Sequence, residues 1–171
     1  NGSVNWATTF TGALTGNGTI YAFSVKNWSF QGDISGFTGT WSSVDANARK
    51  TLTLGKTGDA AAACGTTGIN GNIGSATLKE KDVVISYTGD YDINGNIYTE
   101  SLNIAKGNAS LTNIAIIDAL TVSQGAALDI QSAVTIKQAI ANSGSVSTSG
   151  TGKIVIADYA DFSTDSKQGL Q

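Results

Sequence analysis

Histidine, proline and methionine are absent from this 171-residue chain, and cysteine occurs once, at Cys64. Without histidine there is no His-based triad, no imidazole general base and almost no zinc chemistry. One cysteine makes neither an intramolecular disulfide nor a Cys-rich metal site. Charge is scarce too: 13% of residues are charged and the net charge is −3, which leaves no basic field to hold nucleic acid or an anionic membrane. No apolar run approaches the ~18 residues that span a bilayer. The missing proline suits a stack in which nearly every strand is internal, because proline deletes a ladder hydrogen bond. The missing methionine marks the chain as a mature or excised piece, expected to come from a longer exported protein whose signal or anchor lies elsewhere. Aromatic residues run out as well: none lies between Ser101 and Lys153, whereas Trp6, Phe10, Tyr21, Phe23, Trp28, Phe30, Phe37 and Trp41 crowd the first 41 positions.

Surface polarity must therefore come from Thr, Ser, Asn and Gly, residues that favour short strands and tight turns over helix. The second half carries short aliphatic triplets: Leu102-Asn103-Ile104, Leu120-Thr121-Val122, Leu128-Asp129-Ile130, Val134-Thr135-Ile136, Val146-Ser147-Thr148 and Ile154-Val155-Ile156. Each reads in-out-in at strand period two. Leu102 to Leu120 is 18 residues and Val134 to Ile154 is 20. That is the length of one coil of a solenoid, whose repeats bury their apolar faces only by stacking. The fold expected is all-β, a parallel β-helix of roughly seven to nine coils formed by residues 1–171 as a single domain. An antiparallel β-sandwich is the alternative, since short strands and Gly-rich turns suit it as well. Helical turns are expected at most in Ala60–Cys64 and Ile136–Ala141, and loops at Asp45–Arg49, Gly55–Gly68 and Asn142–Gly152.

Ile69-Asn70-Gly71-Asn72-Ile73 returns unchanged as Ile93-Asn94-Gly95-Asn96-Ile97, 24 residues on, and Leu14-Thr15-Gly16-Asn17 is a weaker third copy. Asn-Gly tolerates positive φ and marks a turn. The copies turn the chain at one corner of successive coils, with stacked Asn side chains bonding one another. Two unrelated hairpin turns are the alternative.

Leu14-Thr15-Gly16-Asn17-Gly18-Thr19-Ile20, Phe30-Gln31-Gly32-Asp33-Ile34-Ser35-Gly36-Phe37 and Leu120–Ile130 together resemble the passenger domains of bacterial autotransporters and related repeat-rich surface proteins. The resemblance implies a right-handed parallel β-helix exported to the cell surface of a Gram-negative bacterium. It carries no catalytic residue over, because activities in that family range from adhesion to proteolysis.

Three sets of residues invite a site. Asp90, Asp92 and Asn94 match the start of a calcium loop, D-x-[DN]-x-[DN]-G, in which alternate oxygens converge on a hard cation. The twelfth position is Ser101 rather than an acid, and a polar turn explains the same residues. Calcium is the one cofactor the sequence admits. Trp28 and Trp41 could stack on sugar rings if exposed on one side of adjacent coils, or fill the core and cap an end of the stack. Carboxylate catalysis needs two acids about 5 to 10 Å apart, and the only glutamates are Glu100 and Glu80, the latter in the charged run Lys79-Glu80-Lys81-Asp82, which reads most simply as a solvated edge or loop. A lyase would need a basic residue beside the acids, but the only arginine, Arg49, lies far in sequence from the Asp90 loop and nothing pairs them. The function expected is a non-enzymatic structural or adhesive segment at the cell surface, with glycan or protein partners. The alternative is a carbohydrate-binding or carbohydrate-cleaving domain.

Overall fold

The computed structural model describes residues 8–23, 26–55 and 68–156. Fourteen strands follow in chain order: β1 (Thr8–Phe10), β2 (Thr19–Ala22), β3 (Trp28–Phe30), β4 (Thr40–Ser43), β5 (Thr51–Leu54), β6 (Gly68–Ile69), β7 (Asn72–Ile73), β8 (Glu80–Ile93), β9 (Ile97–Leu111), β10 (Ala115–Val122), β11 (Ala127–Ile130), β12 (Ala133–Asn142), β13 (Ser145–Thr148) and β14 (Lys153–Ile156). Every strand pair among them is parallel, and non-adjacent elements pair with one another. The chain is a parallel β-solenoid of about seven turns. The antiparallel sandwich is excluded, because a hairpin-built fold contains no such ladders.

One residue per coil traces the stack: Ile20, Trp41, Ile73, Ile97, Ala115, Val134 and Ile154, each the register partner of the next. These define coils 1 to 7. Each coil makes three straight segments, so the solenoid has three faces. The first face stacks β1, β3 and β5 on residues 82–85 of β8 and 101–104 of β9, then on 119–122 of β10 and 139–142 of β12. The second stacks β6 on residues 90–93, 108–111, β11 and β13. The third stacks β2, β4 and β7 on residues 97–99, 115–117, 133–136 and β14.

The triplet spacings are the register itself. Leu102 lies directly beneath Leu120, and Val134 beneath Ile154. Leu102, Ile104, Leu120, Val122, Leu128, Ile130, Val134 and Ile136 are all buried, while Asn103, Thr121, Asp129 and Thr135 between them face outward and are half-buried. Full burial of each such aliphatic side chain contributes roughly 1.5–3 kcal/mol. Ile154 and Ile156 are only half-buried, because coil 7 is the last described and has a neighbour on one side.

Two expectations about local structure are corrected. Ile136–Ala141 belongs to β12 and is extended, since Ile136 is held between Ile117 and Ile156 and Ala141 pairs with Thr121. Stacking on both sides overrides the weak helical preference of a short Ala-containing run. The stretch Asn142–Gly152 is not one loop either, for β13 runs through it on the second face. Asp45–Arg49 is a turn, closed by Asp45 Oδ1 accepting from the amides of Asn47 and Ala48. Ala60–Cys64 and most of Gly55–Gly68 lie outside the described residues.

The Asn-Gly copies stack as neighbours, Ile69 on Ile93 and Ile73 on Ile97. Their glycine is required for a different reason than positive φ, which neither Gly71 nor Gly95 adopts. A Cβ on Gly95 would stand 1.9 Å from Gly71 O, and one on Gly39 would stand 1.9 Å from Gly18 O. Coils approach so closely at this corner that no side chain fits between them. In the weaker copy it is Gly18, two residues beyond Gly16, that occupies the stacked position.

Candidate functional site

Outward side chains give each face its own chemistry. On the second face, strand alternation buries Tyr91 and Ile93 and exposes Asp90, Asp92 and Asn94. The parallel register then sets a polar side chain of the next coil beside each of them. Asn108 Nδ2 donates to Asp90 Oδ1 at 2.9 Å, Ser110 Oγ to Asp92 Oδ1 at 2.6 Å and Thr112 Oγ1 to Asn94 Oδ1 at 2.8 Å. Below, Asn94 Nδ2 donates to Asn70 Oδ1 at 2.8 Å, and the Asn96 amide donates to Asn72 Oδ1 at 2.9 Å. Above, Asp129 accepts from Ser147 Oγ at 3.1 Å and Ser149 Oγ at 2.6 Å, and from Gln131 Nε2 at 3.1 Å. The Ser149 hydroxyl, helped by Gln131 and Ser147, holds the Asp129 carboxyl below the usual carboxylate range, against a smaller opposing effect of desolvation. Rungs thus join the coils of Asn70, Asp92 and Ser110, and again those of Asp129 and Ser147, while the coils of Ser110 and Asp129 meet through the main-chain ladder, including the Gln131 amide donating to Leu111 O.

The structure therefore places Asp90 and Asp92 on the outward side of strand β8 and Asn94 just beyond its end, at the Asn-Gly corner. Alternate residues of a strand stand about 6.6 Å apart, and each of the three is already bonded to the next coil. Among the described residues no three His, Cys, Asp or Glu side chains gather into a cluster. A cation seated here would have to replace rungs that the fold uses.

Trp28 and Trp41 come together, but inside the solenoid. They belong to one coil, on β3 of the first face and β4 of the third, instead of to adjacent coils on one side. Their rings meet edge to face at 5.1 Å and 72°. Trp41 is 3% exposed, and Phe30 also stands edge-on to it at 5.1 Å. Trp28 is half-buried and lies flat against Phe10, centroids 5.5 Å apart. The Trp41 face is thus closed to a sugar ring, since the coil interior between two sheets is where its bulk fits. Beside this cluster, Phe10, Leu14, Ile20, Phe30 and Trp41 line an apolar cavity of about 170 Å³ at the N-terminal end.

The third face is the least polar outside. Tyr98, Ile116, Thr135 and Val155 form one outward column, and the exposed Tyr21, Ile114 and Val155 all stand on this face. Where it meets the first face, charge is concentrated. Arg49 pairs with Glu100 and Lys79 with Asp118, each pair skipping one coil. Arg49 is thus paired with Glu100 rather than with the Asp90 loop, a contact that only the stacking of coils 2 to 4 brings within reach.

Glu80 is the largest departure from expectation. It is not a solvated edge but 1% exposed, inward-facing on the third face. Its Oε1 accepts from the Ser43 amide at 2.7 Å and its Oε2 from Ser43 Oγ at 2.6 Å. Burial raises its pKa above the usual carboxylate range, opposed by the two Ser43 hydrogen bonds and by Arg49. Glu100, twenty residues on, faces out to Arg49, so the two glutamates do not share a cleft. The alternation Glu80 to Val83 hints at a strand, but a Lys-Glu-Lys-Asp run gives no sign that its acid points inward. The rung residues Asn108, Ser110, Thr112, Ser147 and Ser149 were missed for a simpler reason. They become a set only when the 18–20-residue register is laid over the polar positions.

The sequence matches no protein-family model, no curated protein and no solved structure. Among the described residues no helix is long and apolar enough to cross a membrane.

Proposed function

We propose that this chain is a non-enzymatic structural or adhesive module, displayed on the surface of a Gram-negative bacterium or secreted from it, like the autotransporter passengers its repeats resemble. The observation that carries this reading is the second face. Polar side chains repeat in register through successive coils, with rungs ~4.8 Å apart, on a core of stacked aliphatic columns. Such a face offers many equivalent weak hydrogen-bonding contacts rather than one cleft, and contacts of that kind gain strength by multivalency. Surface glycans or extended proteins are the partners it suits. Against cleavage stands the geometry of the two glutamates, one buried and one salt-bridged on opposite sides of a ladder.

A glycan array run alongside a reducing-end assay tests the proposal. We expect avidity-dependent retention of clustered glycans and no new reducing ends. Turnover of any polysaccharide, abolished by replacing one Asp or Glu, would overturn it.

A further inference from the structure

We propose that Glu80 is a protonation-sensitive staple that joins coil 2 to coil 3 and tightens as the medium becomes acidic. This is independent of any partner at the surface. The third-face ladder between these coils is short: Thr40 and Trp41 pair with Asn72 and Ile73, and it ends there. Gly74, with φ +68°, takes the chain out of line just after its amide bonds Trp41 O at 2.8 Å. A small turn follows, in which the amide of Ser75 donates to Leu78 O and the amide of Leu78 to Ser75 Oγ. The chain rejoins the ladder at Glu80, whose register partner in coil 4 is Thr99. Between Ile73 and Glu80, coil 3 therefore offers no strand carbonyl to Ser43. The Glu80 side chain supplies the missing acceptor, taking both the Ser43 amide and its hydroxyl.

The surroundings decide how this staple responds to protons. From the β4–β5 connection Arg49 bears on Glu80, but it is shared with Glu100. From β9, Thr99 contributes a hydroxyl that donates to Glu80 O at 3.2 Å. The neighbouring Lys79 is engaged by Asp118, and Lys81 is exposed on the far side of the strand. Protonation removes a buried charge while keeping both contacts. Oε1 still accepts from the Ser43 amide, and the protonated Oε2 can donate to Ser43 Oγ. The sign follows from linkage: the folded pKa stands above the unfolded value. The stabilisation is complete below the unfolded value and is lost as pH rises through the folded one.

Residue-resolved amide exchange between pH 4 and 7, corrected for intrinsic rates and referenced to the Leu102 amide, tests the staple. In the wild-type chain we expect Ser43 protection to rise towards acid, by up to about ten-fold for each unit by which the folded pKa exceeds the unfolded one. Glu80→Gln, which keeps an acceptor and a donor without the charge, should hold Ser43 protection constant across the range. Glu80→Leu should lose it at every pH. If that variant fails to fold, the wild-type and Gln proteins alone decide. Flat or falling wild-type protection towards acid, or a Gln variant that titrates like wild type, overturns the proposal.

Discussion

The C-terminal coils repeat at nearly constant length and the N-terminal coils do not, and the two solve the same stacking problem differently. Along the third-face column, 18, 19 and 20 residues separate Ile97, Ala115, Val134 and Ile154, whereas 21, 32 and 24 separate Ile20, Trp41, Ile73 and Ile97. Near-constant length keeps each strand beneath its successor, with a single one-residue shift between β10 and β12, so main-chain ladders and aliphatic columns suffice. Variable length breaks ladders. The N-terminal coils compensate with volume, through the Phe10, Trp28, Phe30 and Trp41 cluster, and with a side chain, Glu80, in place of a strand. A solenoid thus tolerates insertions where bulk and a buried acceptor can stand in for register.

The sharpest way to break the contrast is to attack the regular half. Leu120 is 1% exposed on the aliphatic ladder. Leu120→Asp loses roughly 2–5 kcal/mol of packing and buries a charge with no partner. We expect that to approach the whole stability of a domain of this size, ~5–15 kcal/mol, and to abolish the β-sheet circular dichroism signal of coils 5 to 7. Trp41→Ala should cost somewhat less, ~3–5 kcal/mol. Because coils interact only with their neighbours, amide exchange should show the loss confined to coils 1 to 3. Loss of protection in coils 5 to 7 as well would show that the two halves are one cooperative unit.

Smaller effects test the rungs. Asp92→Ala removes the acceptor of Ser110 Oγ and should lower stability by about 1 kcal/mol, with calcium or with chelator alike. A melting temperature that climbs with calcium in the wild type and not in the variant would convert the rung into a cation site. The smallest effect concerns pH. The lowered pKa of Asp129 stabilises the folded state above its unfolded pKa, and that stabilisation is lost as pH falls through the folded value. Coil 7 should therefore lose amide protection towards acid, opposite in sign to Ser43, and Asp129→Asn should flatten the response.

How far each feature was legible depends on its range in sequence. The in-out-in triplets declare themselves within three residues and their 18–20 spacing within forty. The Ile-Asn-Gly-Asn-Ile pair announces its own stacking by identity, although the need for glycine arises from Gly71 O in the coil below. Glu80 was unreadable because its burial is imposed by Ser43, 37 residues away, and by the turn at Gly74. Trp28 and Trp41 look like neighbours on one side of the stack. Two corners of the same coil intervene and point them at each other.

The alternation of apolar and polar residues, with the near-constant interval of the last four coils, by itself determined the strands, their buried columns and the interval at which a solenoid would stack them, while the parallel pairing that excludes a sandwich came from the structure. One-residue slips would expose every aliphatic group at once, and that penalty is written locally. Only the tertiary structure decided which polar residues meet as rungs, where Arg49 and Lys79 find their acids, and that a glutamate replaces a strand. Those outcomes depend on which coil lies beneath which, and insertions of variable length erase that correspondence from the linear chain.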